Sequence, residues 1–128
     1  MRRWLAALVG AVALVASGCG DDDPPVVLEG RTNEHGTETA GDALEVGAYD
    51  AYFEPTYIKA SAGRQFAIEL RNEGGARHTF TSPGLGVDLE LEAGSRRTLT
   101  VKAPSSGHAL FFCRFHQLHG MQGAVFVG

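Results

Sequence analysis

The sequence is short of several things, and each shortage closes off a class of function. Its 128 residues hold two cysteines, two methionines and one tryptophan. It has no basic excess: eleven Lys and Arg face fifteen Asp and Glu, a net charge of −4. That balance offers no positive face for nucleic acid. No apolar run reaches the roughly 20 residues that a membrane helix needs; residues 4–16 are uncharged but stop short of it. From residue 43 on there is no convincing amphipathic helical period and no internal repeat. The length fits one domain.

What is present divides the chain into three parts. Met1-Arg2-Arg3 is a basic start, residues 4–16 are apolar, and Ser17-Gly18 are small. That is the layout of a secretory signal. Val15-Ala16-Ser17-Gly18-Cys19 resembles the lipobox of bacterial lipoproteins, with Ala16 where that family usually carries Leu. The resemblance implies cleavage before Cys19 and a lipid on its thiol. Several acyl chains would give stable anchoring, since each buried methylene contributes about 0.8 kcal/mol. Without Arg2 and Arg3, nine basic residues face fifteen acids, a net charge of −6. Residues 20–42 carry all of it, with seven acids and one base, and the remainder is neutral. We therefore expect residues 1–18 to be a signal peptide, 19–42 a lipidated Cys with an acidic flexible tether, and 43–128 the folded domain.

The domain reads as all-β. Val, Ile, Phe, Tyr and Thr alternate with polar residues, and Gly, Pro and Ser fall between the runs. Strands are expected near 43–49, 56–60, 65–71, 77–81, 87–91, 97–102, 108–113 and 123–127. Phe66, Ile68 and Leu70 share one face, as do Leu99 and Val101, and Val125 and Val127, because strand side chains repeat every second residue. Phe53, Phe66, Phe80, Phe111 and Phe126 are expected in the core. Seven or eight short strands at close spacing predict a sandwich or barrel.

One constellation carries chemistry. With Cys19 committed to lipid, Cys113 is a lone thiol in an oxidising compartment. It could be a buried core thiol, an intermolecular disulfide, a nucleophile or a metal ligand. His116 follows three residues later and Met121 eight later, on one loop between two strands; His78 opens an earlier strand. A thiolate, two imidazoles and a thioether form the donor set of a blue-copper site. His119 leaves a second arrangement open: His78, Cys113, His116 and His119 would suit zinc. His35 in the tether and His108 at a strand start carry no evident role.

These residues resemble the cupredoxin family, of the plastocyanin and pseudoazurin kind, over about residues 44–127. The match is strongest at Cys113-x-x-His116-x-x-x-x-Met121 with Gly123 and the strand after it. It continues in Phe53-Glu54-Pro55-Thr56-Tyr57-Ile58-Lys59-Ala60, and in Asn72 followed by His78 and Phe80. The resemblance implies a single-domain Greek-key β-sandwich holding one copper ion. His78, Cys113 and His116 would be its equatorial ligands, Met121 the axial one, and His116 the exposed edge for electron exchange. Thr79 stands where many members carry Asn, and Arg114 where many carry a small hydroxyl residue. A cation there, if turned inward, would raise the redox potential. Phe115 would shield the metal or form a docking surface.

The expected function is single-electron transfer outside the cytoplasm, between transient redox partner proteins, by a monomer anchored to a bacterial envelope through lipid. Copper storage or delivery uses the same ligands and is the alternative. Cys–His nucleophilic catalysis has no use for the Met, and a binuclear copper centre would need a second Cys near Cys113. An electron carrier is expected rather than an enzyme.

Overall fold

The computed structural model describes residues 23–128. The expected signal segment and the lipidation site Cys19 lie outside the described residues. Ten strands follow in chain order: β1 (Thr37–Thr39), β2 (Ala43–Tyr49), β3 (Tyr52–Glu54), β4 (Tyr57–Ala60), β5 (Gln65–Asn72), β6 (His78–Ser82), β7 (Val87–Leu91), β8 (Arg96–Lys102), β9 (His108–Phe112) and β10 (Gln122–Val127). Among the described residues the only helical turns are two 3₁₀ segments, Pro83–Leu85 and Gln117–His119. The strands form two sheets, in the spatial orders β1-β4-β10-β9-β6-β7 and β3-β2-β5-β8. This is the all-β sandwich expected, with two more strands than the sequence suggested.

The alternating pattern builds the core. On β5, Phe66, Ile68 and Leu70 are buried while Gln65 and Glu69 are exposed. This strand pairs in parallel with β2 and antiparallel with β8. Facing it, Phe80 on β6 and Phe111 on β9 stack with centroids 4.8 Å apart. Phe53 reaches across from β3 and meets both edge-on, at 5.8 and 5.3 Å. Edge-to-face rings at these separations add to the area they bury. The triad joins the sheets at β9, the strand that Cys113 directly follows. Gly123 lets β10 lie close to this layer: a Cβ there would overlap the Thr56 carbonyl and stand 2.6 Å from the Phe111 ring.

Three expectations change. The strand β1 lies within the segment expected to be a tether, and it pairs in parallel with β4. The folded part therefore begins before residue 43. Its three residues, Thr-Glu-Thr, are all exposed, so no apolar alternation marked them. The strand β3 is equally short and buries only Phe53. The third change is Phe126, which is only partly buried. Val125 takes the inward position on β10, and the period of two turns its neighbour outward.

The N-terminal segment is also built into the domain. Pro25, Val26 and Val27 share a groove with Gly107 and His108. Further along, the buried Gln122 amide donates to the carbonyls of Glu29 and Arg31. Asn33 then ties two turns together: its side chain donates to the carbonyl of Ala51, between β2 and β3, at 2.7 Å and to that of His119, in the loop between β9 and β10, at 2.8 Å. His35 stacks on Tyr52 with centroids 3.6 Å apart, a structural role that a solvated tether would not give it.

Candidate metal centre

Two strand ends and one loop assemble the site. Cys113 directly follows β9, and the chain turns back into β10 within nine residues. The loop is closed on itself. Cys113 N–H donates to Met121 O (3.1 Å), His116 N–H to Cys113 O (3.2 Å) and Met121 N–H to His116 O (3.2 Å). Gly120 adopts φ 97° at the end of the 3₁₀ turn, a conformation that favours glycine. The Asn33 amide fills the space a Cβ would need there.

His78 begins β6 on the neighbouring side of Cys113. The structure brings three of the expected residues together. Cys113 Sγ lies 3.7 Å from His78 Nδ1 and 3.5 Å from His116 Nδ1, and the three donor atoms lie within 4.8 Å of one another. These distances suit a shared ion. Bonds of about 2.0 Å to nitrogen and about 2.3 Å to sulfur, the zinc values used as a gauge, place the two donors about 3.5–3.7 Å apart at tetrahedral to trigonal angles.

Met121 is fully buried and belongs to the same core cluster as Cys113. His119 is exposed, its ring 6.4 Å from that of His116, and it stands outside the three-donor group. The Cys-His₃ arrangement therefore lacks its third imidazole. A thiolate and two imidazoles, with a buried thioether beside them, fit copper better than zinc, because soft sulfur donors suit Cu(I) and imidazole suits both copper states.

The surroundings favour a thiolate. Burial alone would push the Cys113 thiol up. The His78 ring, the Thr79 N–H, the His116 ring and the Phe115 N–H outweigh it and draw the pKa from 9.0 to about 6. His78 is shifted upward: burial opposes its charge, but Cys113 and Asp50 together prevail.

The two departures from the family pattern resolve in the structure. Thr79 pins the ligand loop from β6: its N–H donates to Cys113 Sγ (3.4 Å) and its Oγ1 accepts from the Arg114 N–H (2.8 Å). Arg114 does not turn inward. Its guanidinium pairs with Asp88 (3.1 Å) and Glu90 (3.4 Å) on β7, so that charge is compensated at the surface. Phe115 is 44 % exposed and Leu118 94 %; the Arg77 and Arg114 guanidiniums lie 5.5 and 5.7 Å from the Phe115 ring.

Sequence reasoning missed Asp50. Its Oδ1 lies 3.0 Å from His78 Nε2, the ring nitrogen facing away from Cys113. Nothing marked it: it is one acid in a short turn between β2 and β3, 28 residues from its partner.

Comparison with known proteins follows the same line. The family described as Cupredoxin-like domain matches residues 10–127. No curated protein matches the chain. Among solved structures, the dithionite-reduced auracyanin from the photosynthetic bacterium Roseiflexus castenholzii superposes with a TM-score of 0.61 at 17 % identity, covering 70 % of this chain and 98 % of that one. Auracyanin A from Chloroflexus aurantiacus, a "blue" copper protein, gives 0.55 at 19 % identity, with 73 % and 100 % covered. A heme-copper terminal oxidase dimer gives 0.59 at 23 % identity, with 88 % and 84 % covered. At these identities the likeness is one of fold.

Proposed function

The chain belongs to the cupredoxin-like family, and from that premise we infer that it is a type 1 copper protein that carries single electrons between extracytoplasmic redox partners. One observation carries the reading: a buried sulfur with an imidazole Nδ1 at 3.7 Å and another at 3.5 Å. His78, Cys113 and His116 would hold the ion, with Met121 as the weakest donor of the set. Copper bound there supplies a Cu(I)/Cu(II) couple.

The protein's own part is to hold the donors still and dry. His78, Cys113 and Met121 are fully buried; the loop bonds fix the main chain of Cys113 and Met121, and His78 is set by its place at the start of β6. His116 is only partly buried, so its ring is the ligand edge nearest solvent. Exposed Phe115 and Leu118 lie on the same loop and offer apolar contact to a redox partner, whose docking face is usually small and transient. Residues 1–18 act as the export signal, Cys19 carries the lipid, and the segment after it connects the anchor to the domain.

Adding Cu(II) to the mature metal-free protein should produce an intense blue band and the narrow copper hyperfine splitting of a thiolate site in EPR. Ascorbate should bleach both and an oxidant restore them without loss of metal. A colourless Cu(II) form would sink the reading; ready surrender of the copper to a weak chelator on reduction would favour delivery instead.

Copper affinity should also depend on pH with a definite sign. The metal takes a thiolate and neutral imidazoles. Above about 6 the Cys113 sulfur has already shed its proton; below that a proton competes, weakening binding about tenfold per pH unit. His78 is shifted upward, so its proton begins to compete at a higher pH than the thiol's and steepens the fall below it. Competition against a chromophoric chelator measures it, and a flat profile between about pH 5 and 7 would contradict the assignment.

A further inference from the structure

Resting on the copper reading, we propose that Asp50 is a positioning residue of the centre, fixing the His78 ring and lowering the reduction potential through its charge. His78 is wholly buried, whereas Asp50 is 63 % exposed. A buried ring is thus tied through Nε2 to a carboxylate at the surface, 3.0 Å away. In the metal-binding neutral ring, an Nε2 proton donated to Asp50 would leave Nδ1, on the Cys113 side, free for the ion. A metal-bound imidazole that donates to a carboxylate is a stronger donor.

The contact is built from both sides. Gly75 N–H donates to Asp50 Oδ2 at 3.2 Å. A side chain at Gly74 is impossible in this arrangement: its Cβ would overlap Asp50 Oδ1 and stand 3.0 Å from His78 Nε2. Asn72 shapes that turn, accepting from Gly74 N–H at 3.0 Å and donating to Ala76 O at 2.8 Å. On the other side Ala51 sits at φ 72°, a conformation uncommon outside glycine, with its carbonyl held by Asn33. These constraints converge on keeping one carboxylate against one ring.

A negative charge on a ligand ring favours the more positive ion. Arg114, the nearby cation on the ligand loop, is already paired with Asp88 and Glu90 and does not offset it. Asp50→Asn keeps an oxygen acceptor and removes the charge; Asp50→Ala removes both. Partners of this kind are worth about 10–100-fold in metal affinity.

Redox titration of the copper-loaded protein tests the proposal, beside Glu69→Gln as the control for losing one exposed strand carboxylate. For Asp50→Asn the Cu(II)/Cu(I) affinity ratio should fall about tenfold, which raises the potential by about 59 mV for one electron, with the EPR spectrum little changed. Asp50→Ala should show the same rise and an altered copper hyperfine splitting, because the ring is no longer held. A purely structural role would change the unfolding temperature and leave the potential alone. If wild-type protein is blue and Asp50→Asn moves the potential no more than Glu69→Gln, this proposal is overturned and the copper reading stands. If wild-type protein never turns blue, both fall together.

Discussion

Copper-loaded Cys113→Ser should be colourless, and its copper affinity should fall by more than the roughly 10–100-fold that loss of an outer hydrogen-bond partner costs. The sulfur is the one donor whose filled orbitals lie close enough in energy to Cu(II) to give intense visible absorption. A serine hydroxyl at the same place is hard, neutral and unable to give up its proton at neutral pH. Cys113 also stands at the hub of the site: His78, His116 and the Thr79 N–H all converge on it. A hydroxyl can still take the Thr79 hydrogen bond, so the metal-free variant should fold. Titration with Cu(II), followed by absorption and EPR, reads the result. A variant that stays blue would mean that the thiolate is not the chromophore.

Phe53→Ala should destabilise the metal-free protein by about 3–5 kcal/mol, the usual cost of deleting a fully buried phenyl ring. The expected value lies in the upper part of that range. Phe53 contacts Phe80 and Phe111 edge-on, and it is fully buried. Its removal opens a cavity between the sheets that two rings fixed on neighbouring strands cannot close. Phe53→Leu should recover most of the loss. Urea unfolding of the two variants measures this, and a loss under about 1 kcal/mol for the alanine would mean that the sheets re-pack freely. Because β9 leads from Phe111 to Cys113, the alanine variant should also broaden the copper EPR signal.

Much of this was legible in the sequence because the pattern and the chemistry were local. Phe66, Ile68 and Leu70 declare their face by alternation alone, and Cys113, His116 and Met121 sit close enough in the chain to be read as one loop. Pairing His78 with them needed the family pattern, since 35 residues separate it from Cys113. Short edge elements escaped: β1 buries nothing, and β3 buries one ring. Asp50 escaped for a different reason. A carboxylate in a surface turn looks like any other, and its partner is chosen by the crossing of two loops. Arg114 shows the same gap: the sequence gives its charge, and only β7, with Asp88 and Glu90, gives its direction.

The course of the N-terminal segment decides which pole of the molecule a leash would pull. Pro25 to Val27 meet the chain at His108, the start of β9, while the thiolate follows its last residue. Five residues of extended strand at about 3.3 Å each put the two some 16 Å apart. A surface that held the chain at Pro25 to Val27 would therefore leave the His116 rim at the far end of β9, free to meet whatever diffuses past.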